Sequence, residues 1–161
     1  MKLAFTSILM TSLVSMLASC SNTGSGNPEA ETAEVRKVIH ASIEWAVGKD
    51  RDLLLNSVAQ DSTFFIFHPD SASTIVGFDA FRDLVDGFFM NKDFRATGSE
   101  VKDLNIHLSR GGDVAWFSAL LDDFGEWRGK PTAWVDCRWT GVLEKREGKW
   151  VIVQMHFSFA K

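Results

Sequence analysis

The chain has 161 residues, 45% of them hydrophobic and 24% charged, with a formal net charge of −4. That length suits one domain, and that balance is ordinary for a globular protein, which speaks against disorder outside short tails. The acidic charge and the lack of a dense Lys/Arg run speak against nucleic acid as a partner, because neutralising phosphates takes a basic face.

Residues 1–19 have the layout of a secretory signal. Lys2 supplies a short positive region, and Ala4 to Leu17 is apolar apart from Ser and Thr, too short for a membrane span. The stretch ends Leu17-Ala18-Ser19-Cys20, which resembles the lipobox of bacterial lipoproteins, whose thiol is lipidated and becomes the new N-terminus. A plain secretory signal is the alternative. The lipoprotein reading predicts an exported domain, anchored through Cys20 to a bacterial membrane and facing the periplasm or the cell exterior. Each buried acyl CH₂ would contribute about 0.8 kcal/mol to that anchoring. Cys137 would then be the remaining thiol, with no partner for an internal disulfide. Residues 20–28, rich in Gly and Ser, read as a flexible tether to a folded domain over 29–161.

Asn27-Pro28 marks a helix start, with Glu29, Glu31 and Glu34 favoured by the helix dipole. Val35, Val38, Ile39, Ser42, Ile43 and Ala46 keep helical spacing up to Gly48. Asp50 can cap a second, short helix carrying Leu53, Leu54 and Val58. Thr63 to Phe67 reads as an aromatic strand ended by His68-Pro69-Asp70. Gly77 precedes a third helix with Phe78, Phe81, Leu84, Val85, Phe88 and Phe89 on its buried side. From Phe94 the chain reads as strands over 95–108, 113–126, 132–145 and 150–159, separated by Gly-containing turns. Helices first and a strand meander afterwards predict an α+β domain, with helices on one face of an antiparallel sheet.

The last hairpin is the most informative stretch. Arg146-Glu147-Gly148 fits a three-residue loop that pairs Lys145 with Lys149. Counting back sets Glu144 against Trp150, Val142 against Ile152, Thr140 against Gln154, Arg138 against His156 and Asp136 against Ser158. A two-residue turn would instead bring Trp139 and Gly141 opposite Gln154 and His156. Side chains alternate with period two, so the first set shares one face. Trp150 and Ile152 begin that face, which predicts helices over its near end and a cavity at its polar end. The other face (Val151, Val153, Met155, Phe157, Phe159) is wholly apolar, which predicts a homodimer through an outer sheet face. Pairing Glu126 with Thr132 would set Asp122 against Asp136 and Leu120 against Arg138, adding Trp116, Ser118 and Asp122 to the polar wall. The candidate ligand site is therefore Trp116, Ser118, Asp122, Asp136, Arg138, Thr140, Gln154, His156 and Ser158, with Trp45 of the first helix as a possible roof.

Four segments carry a family resemblance: Gly112-Asp-Val-Ala-Trp116, Arg138-Trp-Thr140, Lys145-Arg-Glu-Gly-Lys-Trp150 and His156-Phe-Ser158. They resemble SnoaL-like domains of the nuclear transport factor 2-like superfamily. The ending is also similar to the association domain of calcium/calmodulin-dependent kinase. The resemblance implies a curved sheet wrapped by three helices into a cone with an internal pocket, and frequent dimers. The superfamily includes ketosteroid isomerases, polyketide cyclases, dehydratases and many non-catalytic binding or assembly domains, so fold does not settle activity.

Ketosteroid isomerisation uses a Tyr hydroxyl and a protonated Asp as its oxyanion hole, and this chain has no Tyr. An acid/base site on His156 and Asp122, with Arg138 stabilising negative charge, remains open as an isomerase-, cyclase- or hydratase-like alternative without cofactor. The spacing of His40, His68, His107 and His156 fits no metal motif. Asp122 and Asp123 alternate across a strand, so their carboxylates point apart. The favoured reading is a tethered domain binding a small, partly apolar ligand; a homo-oligomeric assembly module without ligand is a further alternative.

Overall fold

A computed structural model describes residues 27–70 and 73–160. Helix α1 runs Pro28–Gly48, and the Asn27 side chain accepts the Glu29 backbone N–H at its start. The helix continues through Gly48, and Lys49 closes it in the left-handed conformation (φ 51°). Its buried stripe is Val35, Ile39, Ser42 and Trp45. Asp50 caps α2 (Arg51–Asn56), accepting from Leu53 N–H at 2.9 Å. After β1 (Phe65–Phe67) comes β2 (Ile75–Val76), too short to leave a periodic signal in the sequence. The third helix is compound: α3 (Phe78–Leu84) passes into a π-helical turn, Val85–Phe89. Phe81 and Val85 are buried as expected, but the wider turn rotates Phe88 outward to stack on Trp127 at 4.9 Å.

Strands β3 (Phe94–Leu108), β4 (Val114–Trp127), β5 (Lys130–Arg146) and β6 (Lys149–Ser158) form the meander. The sheet order is β2-β1-β6-β5-β4-β3. All neighbours are antiparallel except β1 beside β6, which is parallel and makes the sheet mixed. The sheet is curved and unclosed, and the helices cover one face of it. This is an α+β cone.

Both later turns are tighter than the sequence pattern suggested. Glu147 and Gly148 have φ of 51° and 81°, and Arg128 and Gly129 have 52° and 75°. Two successive left-handed residues make a two-residue hairpin turn that matches the strand twist. Arg146 therefore pairs with Lys149 and Lys145 with Trp150, one step from the expected pairing of Lys145 with Lys149. An extra residue, Val153, is then inserted between the pairs Leu143–Ile152 and Val142–Gln154. Beyond this bulge Thr140 faces His156 and Arg138 faces Ser158, whereas Thr140–Gln154 and Arg138–His156 were expected. A bulge also reverses the inward–outward alternation of its own strand. Trp150, Ile152, Val153, Met155 and Phe157 consequently all face the helices, each 9% exposed or less. Their neighbours Gln154, His156 and Ser158 face away.

The β4–β5 hairpin repeats the device. Trp127 pairs with Lys130 and Glu126 with Pro131, not Thr132, and a bulge in β5 at Val135–Asp136 restores Leu120 opposite Arg138. Asp136 takes a left-handed φ of 51° there, and its backbone N–H donates to Asp122 Oδ1 at 2.8 Å.

Candidate functional site

The sheet's outer face carries most of the polar wall read from the sequence. Ser118, Thr140 and His156 lie side by side across β4, β5 and β6, and Arg138 lies between Leu120 and Ser158. Trp116, Val142 and Gln154 form the next row, with His107 of β3 stacked on the Trp116 ring at 5.7 Å. A groove of about 360 Å³ on this face is lined by His107, Trp116, Ser118, Thr140, Val142 and Gln154, floored by Phe117 and Gly141. The expectation that these groups open into a cavity under the helices is corrected. Trp116 is 47% exposed, and Arg138, Thr140 and His156 are exposed too. The helices lie on the opposite face because that face holds Phe117, Leu121, Trp139 and Phe157.

The acid/base pair is also not brought together. Asp122 sits at the Asp136 bulge and His156 at Thr140, four residues further along β5, on the order of 13 Å by strand rise. Asp122 is instead held by Lys102, whose ammonium reaches Asp122 at 2.7 Å and Asp136 at 2.6 Å. Lys102, with the Asp136 N–H, keeps the Asp122 carboxyl below its usual range. His156 meets the Phe67 ring edge-on at 6.2 Å. Trp45 is 5% exposed, donates to the Ser42 carbonyl at 3.1 Å and packs on Phe89 as a core residue. The apolar outer face assigned to Val153, Met155 and Phe157 lies in the core instead, because the Val153 bulge turns these residues inward. Cys20 lies outside the described residues.

The inner face contains a polar group that the register argument missed. Ala115, Phe117, Ala119 and Leu121 of β4 point inward, and the next residue in that series is Asp123. No hydrogen bond or ion pair to Asp123 exists among the described residues. Burial alone pushes its pKa up to about 6. Its cross-strand neighbours are Ser99 on β3 and Trp134 on β5. The buried Cys137 thiol has its pKa raised first by burial and further by the Asp123 charge.

Rings enclose the same region. Trp134 approaches Phe157 at 5.5 Å and His68 at 6.2 Å. His68 lies parallel to Phe157 at 5.7 Å, as does Trp139. The His68 Nδ1–H donates to the Ser73 carbonyl at 2.7 Å, which leaves Nε2 as the acceptor of the neutral ring. Trp139 is fully buried, and its indole Nε1–H has no acceptor among the described residues. An unsatisfied buried donor costs on the order of 1–3 kcal/mol. Asp123, Gly125, Trp127 and Trp134 are all half-buried, so the inner face opens toward solvent at this end. The sequence did hold a signal: Asp123 is the acid in step with an otherwise apolar alternating run.

A family model described as a SnoaL-like domain matches residues 35–161. Among curated proteins, none matches the sequence. Similar solved structures include a provisionally assigned scytalone dehydratase from Novosphingobium aromaticivorans (11% identity, TM-score 0.71, covering 83% of this chain and 86% of that one). A nuclear transport factor 2-like protein of unknown function from Prochlorococcus marinus aligns at 16% identity and TM-score 0.63, over 81% of this chain and 93% of its own. The association domain of calcium/calmodulin-dependent kinase II from C. elegans aligns at 18% identity and TM-score 0.62, over 82% and 98%. At these identities the likeness is one of fold. The family match spans most of the chain and agrees with the cone just described: this protein belongs to the SnoaL-like family.

Proposed function

We propose that the domain binds a small, partly apolar ligand at the open end of the inner sheet face, between Asp123 and the ring cluster of His68, Trp134, Trp139 and Phe157. The observation that carries this reading is the Trp139 indole N–H, a fully buried donor with no acceptor among the described residues. Buried polar groups are nearly always satisfied, and a ligand oxygen or nitrogen would complete this one. Native mass spectrometry of the full chain purified from its own host tests the idea. A co-purifying small molecule that is lost in Trp139→Phe, which keeps the ring stack and removes the donor, supports it. An empty wild-type protein in every preparation refutes it. Acid/base chemistry on the bound molecule is the second reading. It now rests on Asp123 rather than His156, since a group with a pKa of about 6 populates both forms near neutrality.

A homo-oligomer through the outer face is compatible with either reading. Phe67, Val76, Trp116 and Phe124 lie on that face, 39% to 68% exposed, and similar folds include kinase association domains. Sedimentation equilibrium that stays monomeric at high concentration would sink it. Attachment to a membrane through Cys20 is proposed on the Leu17-Ala18-Ser19-Cys20 segment. Cys20→Ala should move the protein from the membrane to the soluble fraction.

A further inference from the structure

The inner-face site has a chemical bias that narrows its ligand. Along the inner faces of β4, β5 and β6 three side chains carry charge: Lys130 at the exposed start of β5, four residues from Trp134, then Lys145 and Asp123. Lys145 is already bonded to Glu31 at 2.5 Å and lies over the Trp150 ring. Asp123 has no counter-ion among the described residues. The groups around it are Ser99 from β3, Trp134 and Cys137 from β5, and His68 across the ring cluster. None of these is a fixed cation.

A lone carboxylate on an apolar wall repels anionic ligands and attracts positive charge, and a half-buried one is screened less than in bulk water. Aromatic faces add to the same preference, since their quadrupoles present negative charge to a cation. Trp134 is the direct cross-strand neighbour of Asp123, and in a strand pair such neighbours have Cβ atoms about 5 Å apart. Through Trp134 the cluster continues to Phe157, His68 and Trp139. One acid beside a wall of rings is the arrangement that recognises an organic ammonium group.

Resting on the ligand-binding reading above, we propose that the inner-face site selects a small organic cation, an amine or quaternary ammonium whose charge sits against Asp123 and the Trp134 ring. Carboxylates and other anions of similar size are rejected. Affinity rises with pH as Asp123 ionises, through a midpoint near 6, and levels off above it. His68 and Cys137 are the other titratable groups facing the site, so the pH profile is read beside an Asp123 variant.

Benzyltrimethylammonium, charged at every pH, and benzyl alcohol, its neutral counterpart, are titrated into the full chain. Calorimetry and the ¹⁵N-resolved indole N–H resonance of Trp139 report binding. At about pH 8 the cation should bind at least about tenfold more tightly than the alcohol. The advantage should fall severalfold in Asp123→Asn, and in the wild type at about pH 4.5, to the part that the rings supply. Asn is isosteric and breaks no bond that Asp123 makes, so the variant should remain folded. Equal or tighter binding of the alcohol, with the Trp139 resonance shifted, overturns the cation preference and leaves inner-face binding standing. A cation preference undiminished in Asp123→Asn places the charge recognition elsewhere and overturns the proposal. If neither probe shifts the Trp139 resonance, inner-face binding fails as well.

Discussion

The two faces of the β4–β5–β6 sheet treat their polar groups differently. On the outer face Ser118, Arg138, Thr140 and His156 are open to water, and Lys102 neutralises Asp122 and Asp136. On the inner face, among the described residues, Asp123 has no counter-ion and Trp139 no acceptor, beside a cluster of rings. Unsatisfied polarity costs little in water and much in an apolar wall. A fold that tolerates it on the inner face has polar sites there that are not explained by stability. The outer face, richer in polar residues, is in that sense the less informative one.

Substitutions can break this contrast, and the largest effect belongs to the inner tryptophan. Trp139→Ala removes a fully buried ring packed on Phe117 and Phe157, and should lower unfolding free energy by about 3–5 kcal/mol. The matching outer change, Trp116→Ala, should shift it by no more than about 0.5 kcal/mol in the monomer. Urea titration of the two side by side settles the point; comparable losses would mean the outer face is covered.

Gly141 tests how tightly the inner face is built. A Cβ there would come within 2.5 Å of the Phe117 ring and 2.8 Å of the Gln154 carbonyl. Gly141→Ala should therefore cost about 1–3 kcal/mol. A neutral outcome would show that Phe117 has room to move.

Asp123→Asn should act in the opposite direction and only over part of the pH range. Asp123 holds its proton more tightly folded than unfolded, so its contribution to stability falls as pH rises from 3.8 to about 6. Above that window the ionised carboxylate is a burden of about 1–3 kcal/mol, allowing for partial screening. The Asn variant should melt higher than the wild type at about pH 8 and alike at about pH 4. A variant less stable at the higher pH would reveal a partner for the carboxylate. The smallest effects are expected from Arg138→Ala and His156→Ala, each within about 0.5 kcal/mol by thermal melting. Unfolding by either would return these residues to a buried network.

Much of the architecture was legible because it depends on local pattern. The caps at Asn27 and Asp50, the α1 stripe and the four long strands follow from spacing and turn residues acting over a few positions. The polar set Arg138, Thr140, Gln154, His156 and Ser158 does share a face, but with other partners: a turn one residue shorter than expected and a bulge one residue long add to a two-residue shift, which changes the pairing and keeps the face. Period-two counting fixes which residues lie together, not which side the helices will cover. It also cannot see an inserted residue whose cost is repaid by a distant contact.

The sequence by itself determined the α+β order, the SnoaL-like family and the opposed directions of Asp122 and Asp123, since alternation along a strand is set by backbone geometry alone. Which of those two acids faces the interior was settled by long-range packing. The bulges at Val153 and Val135–Asp136, and the packing of the helices onto Phe117, Trp139 and Phe157, made that choice. Covering the face with the greater apolar area is a property of the whole assembly, and no window of sequence contains it.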